Sequence, residues 1–173
     1  MKYAREFMLP LAGLPLGETV YTFDLEHPFF VLNEDEEVTE AKVHVVLVLN
    51  KHENMIELHF KAEGWIELPC DRCADLYHQE INGEQQLILK YGETYEEESD
   101  EIIVIPPDLH EFDIRHLLYE YIILMLPYRR VHLEDEEGNS GCNPEVLHRL
   151  EQMQSEPVID PRWEALKKLN NLS

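Results

Sequence analysis

The chain has 173 residues, 44% of them hydrophobic, which suffices for one domain with a sizeable core or one domain carrying a small appendage. Its 36 acidic residues against 14 basic ones give a formal net charge of −22, and so acidic a surface repels a phosphate backbone over most of its area, which argues against a bulk nucleic-acid binder. No apolar run is long enough to span a bilayer, residues 1–10 lack a signal-peptide pattern, and three cysteines are too few for a disulfide framework, so a cytoplasmic protein with reduced thiols is expected.

In chain order, the first ninety or so residues read as β-structure. Val20-Tyr21-Thr22-Phe23 and Phe29-Phe30-Val31 are runs of β-formers. Residues 43–49 are nearly all apolar, Ile56, Leu58 and Phe60 alternate with polar neighbours, and the polar stretch 50–54 between them suits a hairpin turn, which predicts an antiparallel pair. Residues 76–91 read as one long or bulged strand, with Asn82-Gly83 as the interruption. The acidic stretches Glu34-Asp35-Glu36-Glu37 and 93–101 lack apolar periodicity and are expected to be loops. Ile102-Ile103-Val104-Ile105 is a short core strand stopped by Pro106-Pro107.

The pattern then turns helical. Ile114, Leu117, Leu118, Tyr121, Ile122 and Met125 recur at helical spacing, Asp113 is placed to cap the first turn, and Pro127 ends the run. That stripe is read as core packed on the sheet, not as a cofactor surface. Residues 133–141 are expected to be mobile. Asn143-Pro144 and Asp160-Pro161 each set a capping side chain before a proline at the first helical position, predicting two further helices.

The chemistry centres on Cys70-Asp71-Arg72-Cys73, a C-x-x-C turn between two strand-like runs. Three readings stand. Cys70, Cys73 and Cys142, with His132 or His148 as the fourth ligand, could hold a zinc ion. A redox pair would normally open a helix whose N-terminus stabilises the thiolate, and this pair lies between strands. The reading favoured by the residues alone is a packing role for small, partly buried thiols, with no cofactor. Phosphate-cradling glycine loops, H-E-x-x-H and G-x-S-x-G are missing, and paired carboxylates carry no signal in so acidic a chain. Arg129, Arg130, Arg162, Lys167 and Lys168 offer only weak, salt-sensitive contact with RNA, and a role at helix ends beside nearby acids is favoured for them.

The order of these landmarks, from Cys70-Asp71-Arg72-Cys73 through the helix ending at Leu126-Pro127 to Cys142 and then Asp160-Pro161-Arg162-Trp163 with Leu166 and Leu169, resembles the YceD-like family of bacterial and plastid proteins. The resemblance implies a role in accumulation of large-subunit ribosomal RNA, hence in ribosome biogenesis, with no established enzymatic activity. Many members carry several cysteines after the proline matching Pro127, whereas residues 128–141 here carry none.

The expected fold is α+β: a strongly bent antiparallel sheet or partial barrel packed against one main helix, with residues 1–127 as the core domain and 128–173 as an acidic loop and helical extension. The expected function is that of a non-enzymatic assembly factor whose acidic surface binds a basic ribosomal protein or assembly factor, with no membrane and no small-molecule substrate. Glu96, Glu97 and Glu98, together with Arg162 and Trp163, are the expected partner-binding residues. The alternatives are a zinc-binding or thiol-dependent enzyme centred on Cys70 and Cys73, and an acidic interaction scaffold outside the ribosome.

Overall fold

Strict alternation of apolar and polar residues builds the central sheet. In β3 (Glu40–Lys51), Ala41, Val43, Val45, Leu47 and Leu49 share one buried side while Lys42 and His44 face solvent. β4 (Met55–Pro69) repeats the pattern with Ile56, Leu58, Phe60, Ala62, Ile66 and Leu68. Each large aliphatic side chain taken fully out of water contributes about 1.5–3 kcal/mol, so this single face dominates the stability of the sheet. The computed structural model describes residues 5–135 and 137–153. The chain divides into two units, Met1–Val131 and His132–Ser173.

The sheet belongs to the first unit. With β2 (Gly17–Glu26), β5 (Leu76–Tyr91), β6 (Glu96–Ser99) and β7 (Ile102–Ile105) it has six strands in the order β2-β3-β4-β5-β7-β6. The predicted hairpin at residues 50–54 is present, with Lys51 opposite Ile56. β2 to β5 form an antiparallel meander, but β7 lies parallel to β5, so the sheet is mixed, not purely antiparallel, and it is open, with β2 and β6 as its edges. A small second sheet pairs β1 (Met8–Pro10) with β8 (Glu111–Asp113) and buries Leu9 and Phe112.

Two expectations fail locally. Phe29-Phe30-Val31 is not a strand: α1 spans His27–Leu32 and buries both phenylalanines. Pro28 cannot donate to a ladder but suits the first turn of a helix, and adjacent buried rings would fall on opposite faces of a strand. Phe29 instead meets Phe7 at 5.0 Å and Phe30 meets Phe29 edge-on at 5.3 Å. The second acidic stretch is not wholly a loop, because residues 96–99 pair with β7 through their backbone while every side chain stays exposed. The first, residues 34–37, does carry no strand or helix.

α2 (Arg115–Leu124) buries Leu118, Tyr121 and Ile122, and Tyr121 meets Phe60 of β4 edge-on at 5.3 Å. Asp113 acts one residue before the cap, which is Ile114, by accepting the Arg115 backbone N–H at 2.9 Å. Burial pushes the Tyr121 hydroxyl up to about 12. In the second unit, α3 (Pro144–Met153) starts as predicted, with Asn143 Oδ1 accepting the Glu145 N–H at 3.1 Å. The start predicted at Asp160-Pro161 lies outside the described residues.

Two glycines have packing duties that the sequence does not announce. Asn82-Gly83 does not interrupt β5, whose register against β4 runs unbroken from Met55–Lys90 to Pro69–Leu76. A Cβ at Gly83 would lie 2.9 Å from Met125 Cγ and Sδ, so the glycine admits the end of α2 onto the sheet. At Gly64 (φ +151°) a Cβ would lie 2.1 Å from the Lys42 carbonyl oxygen and 2.7 Å from Val43 Cα, both backbone. Gly64→Ala is therefore expected to cost about 2–4 kcal/mol, because neither strand can yield without breaking the ladder, while Gly83→Ala costs about 1 kcal/mol as the flexible Met125 side chain moves aside. Thermal unfolding of the two variants checks the ranking, and equal melting temperatures would refute it.

Candidate functional site

The C-x-x-C turn caps the longest hairpin of the fold, between the end of β4 at Pro69 and the start of β5 at Leu76. Cys70 and Cys73 are 3% and 6% exposed, and neither forms a disulfide. The turn closes on its own backbone: the Ala74 N–H donates to the Cys70 carbonyl at 2.9 Å, and the Cys70 N–H donates to the Asp75 carbonyl at 3.0 Å. The Arg72 N–H points at Cys70 Sγ from 3.4 Å, a contact that favours a thiolate. Ala74 adopts φ +64°, the left-handed conformation that lets the chain reverse immediately after the second cysteine.

A second segment of the first unit is bound to this turn. The Asp71 N–H donates to the Arg130 carbonyl at 2.7 Å, and the Arg130 N–H returns a bond to Asp71 Oδ2 at 2.7 Å. The guanidinium of Arg130 then reaches Glu37 Oε2 at 2.6 Å and Asp71 Oδ1 at 3.2 Å. The donated Arg130 backbone N–H, with its side chain in support, holds the Asp71 carboxyl below its usual range. A lowered carboxyl stabilises the fold above its unfolded value, and that contribution is lost as pH falls through the folded value. Arg130, one of the cations read as an RNA contact or a helix-end charge, is thus spent on two carboxylates.

The second unit builds its own pair. Among the described residues of 133–141, Glu134 bridges Ser140, and the Gly141 N–H donates to the Leu133 carbonyl at 3.1 Å. Asp135 organises the loop tip, its Oδ1 accepting the N–H groups of Glu137 at 3.0 Å and Asn139 at 2.8 Å. These bonds, led by the Asn139 side chain on Oδ2 at 3.0 Å, hold the Asp135 carboxyl below its usual range. The loop brings its ends together, so that a Cβ at Gly141 would lie 3.2 Å from His132 Cβ. His132 therefore stands beside the Gly141-Cys142 step, and Cys142 is 4% exposed. His148, the other histidine candidate, is exposed on α3 with its Nε2 at 2.9 Å from Gln152 Nε2.

The structure thus groups Cys70 with Cys73 and His132 with Cys142. Glu96, Glu97 and Glu98 are exposed on β6, with Lys90 Nζ at 3.0 Å from Glu98 and the Tyr95 hydroxyl donating to Glu97 at 3.1 Å. Arg162 and Trp163 lie outside the described residues.

Residues 58–170 match the family described as large ribosomal RNA subunit accumulation protein YceD. The chain belongs to the YceD family. The match begins in β4 and takes in the C-x-x-C turn, Arg130, His132 and Cys142, while β2 and β3 precede it. No curated protein and no solved structure matches the chain. The YceD name points to a role in accumulation of large-subunit ribosomal RNA. Among the described residues of this YceD protein, no helix is long and apolar enough to cross a membrane.

The turn itself yields a test. Ala74 is held where glycine is preferred, at a cost of about 1 kcal/mol. Ala74→Gly is expected to leave stability unchanged or raise it by up to about 1 kcal/mol, and Ala74→Val to lower it by about 1–3 kcal/mol. Denaturant unfolding of both variants measures the difference, and a stabilised valine variant would contradict the left-handed assignment.

Proposed function

We propose that this YceD protein is a non-enzymatic, cytoplasmic ribosome biogenesis factor that binds a basic protein, either a ribosomal protein or another assembly factor, through its acidic surface. The family match over residues 58–170 carries the ribosomal half of this reading, and the net charge of −22 supports the sign of the partner. Glu96, Glu97 and Glu98 belong to that surface, and Arg162 and Trp163 are assigned to the same partner. Direct contact with ribosomal RNA is weak on this reading, since several of the few cations already serve acids: Arg130 serves Glu37 and Asp71, Lys61 serves Glu63, and Lys90 serves Glu98. Depletion is expected to lower large-subunit relative to small-subunit ribosomal RNA. Unchanged subunit profiles would reject the function.

We further propose that Cys70, Cys73, His132 and Cys142 together bind one zinc ion. Three thiolates and one imidazole are a closed structural donor set, and buried thiols, one of which accepts the Arg72 N–H, suit zinc better than a hard cation. Chain continuity supports the grouping: Arg130 is bonded to Asp71 in the middle of the C-x-x-C turn, and His132 follows two residues later, within about 8 Å along the chain. When bound, the metal supplies a cross-link between segments distant in sequence, with no open position for catalysis. Elemental analysis of native protein should find one zinc per chain. Cys70→Ser and His132→Ala should each release it, while His148→Ala should retain it. Metal-free native protein whose melting temperature is indifferent to chelator would return the thiols to a packing role.

A further inference from the structure

The two edges of the sheet differ. β6 is only 4 residues long, its pairing with β7 is irregular between Glu97 and Ser99, and glutamates occupy three of its positions. Short length, a bulge and charge are the usual defences of an exposed edge against pairing with another chain. β2 has few of them. It runs for 10 residues, pairs with β3 in unbroken register from Gly17–Lys51 to Glu26–Lys42, and contains no proline, lysine or arginine. Among the described residues, no backbone bond other than those to β3 engages residues 17–26. In an antiparallel pair alternate residues turn their N–H and C=O groups away from the partner, so the outer side of β2 presents a row of unused donors and acceptors.

From this edge we infer that β2 receives an extended, basic segment of a partner protein as a seventh strand of the sheet. The sign of the occupant follows from the side chains. On the solvent face β2 presents Glu18, Val20, Thr22, Asp24 and Glu26, all exposed; Val20 is 59% exposed, and Asp24 meets His44 Nδ1 at 2.7 Å. An added strand sets its own side chains directly against this row, where opposite charges stabilise and like charges destabilise. A second copy of the chain is a poor occupant. Centred on Thr22, an antiparallel copy places Glu18 against Glu26; centred on Tyr21, it places Glu18 against Asp24. A segment alternating lysine or arginine with β-branched residues sets its cations on the face of Glu18, Asp24 and Glu26 and its apolar side chains on the opposite face, beside Thr19, Tyr21, Phe23 and Leu25. Strand addition of this kind takes affinity from the backbone ladder and selectivity from alternate side chains.

This inference rests on the basic-partner reading and specifies where and in what conformation that partner binds. An alternating lysine–valine peptide as long as β2 is titrated into the full-length protein at low salt, with two analogues N-methylated at alternate residues in opposite phases. The parent and one analogue should bind and slow hydrogen exchange of alternate amides within residues 17–26. The analogue methylated on its pairing edge should bind about tenfold or more weakly, having lost several ladder hydrogen bonds. The double substitution Val20→Lys with Thr22→Lys, at two exposed positions, should abolish binding of the parent peptide with the melting temperature kept; should that variant not fold, the wild-type comparison of the two analogues decides alone. Equal binding of both analogues would overturn strand addition while leaving charge attraction intact. Failure of the peptide and of polylysine alike would remove the basic-partner reading as well. A wild-type protein that dimerises through β2 would overturn the choice of occupant.

Discussion

The unbroken pairing of β4 with β5 is the constraint on which the other elements depend. Fifteen consecutive positions of β4 face β5, and this ladder sets one apolar face for α2 to cover and carries the C-x-x-C turn at its tip. A slip of β5 by one residue would turn Ile81, Leu87 and Leu89 to solvent together. The ladder tolerates no such slip because Gly64 fits against the β3 backbone and Gly83 accepts Met125. Register, helix docking and the position of Cys70 and Cys73 are in this sense a single decision.

Charge acts on the fold as a separate constraint. At −22 the compact state is opposed by its own repulsion. Cations are spread thinly through the sheet and its connections: Lys61 lies 2.7 Å from Glu63, Lys90 lies 3.0 Å from Glu98, and Lys51 Nζ donates to the Leu14 carbonyl at 3.1 Å. Exposed pairs of this kind contribute little each, and their structural consequence is a surplus of unpaired carboxylate on the surface. Arg130 differs because its backbone bonds tie it to Asp71 as firmly as its side chain does, which makes it a positioning residue of the thiol turn.

Much of the fold was legible in the residues because period-2 alternation survives wherever one face is buried and the other wet. The strands on either side of the hairpin at residues 50–54 and the long strand at 76–91 carry that signal, whereas the strand at 102–105 showed as a short apolar run before two prolines and α2 by its helical spacing. α1 escaped notice because Phe29-Phe30 is apolar under either period and only Pro28 favours the helix. β6 was hidden because its stability comes from backbone bonds to β7, which leave no mark in side-chain pattern. The parallel placement of β7 is likewise a property of the connection through residues 92–101, whose composition says only that it is wet. At the candidate site the C-x-x-C turn was plain, whereas the choice between His132 and His148 was not. Asp135 accepts the N–H groups of Glu137 and Asn139 in the intervening loop, and His132 stands beside Gly141 at its end, a placement that no spacing rule for metal ligands contains.

The same physics separates two uses of acidic residues in this chain. At Asp35, Glu37, Asp71 and Asp135, carboxylates are committed to backbone N–H groups or to Arg130, and removing them would loosen particular turns. On β2 and β6 they point to solvent, and on β6 they guard a short, irregular edge against pairing. β2 keeps its acids on a long, regular edge whose backbone remains open, so charge there selects a pairing partner instead of forbidding one. For β6, length and irregularity already limit what can add, whichever sign is offered. An edge strand that repels its own copy and accepts a basic one is consistent with a protein whose surplus charge serves recognition as well as solubility.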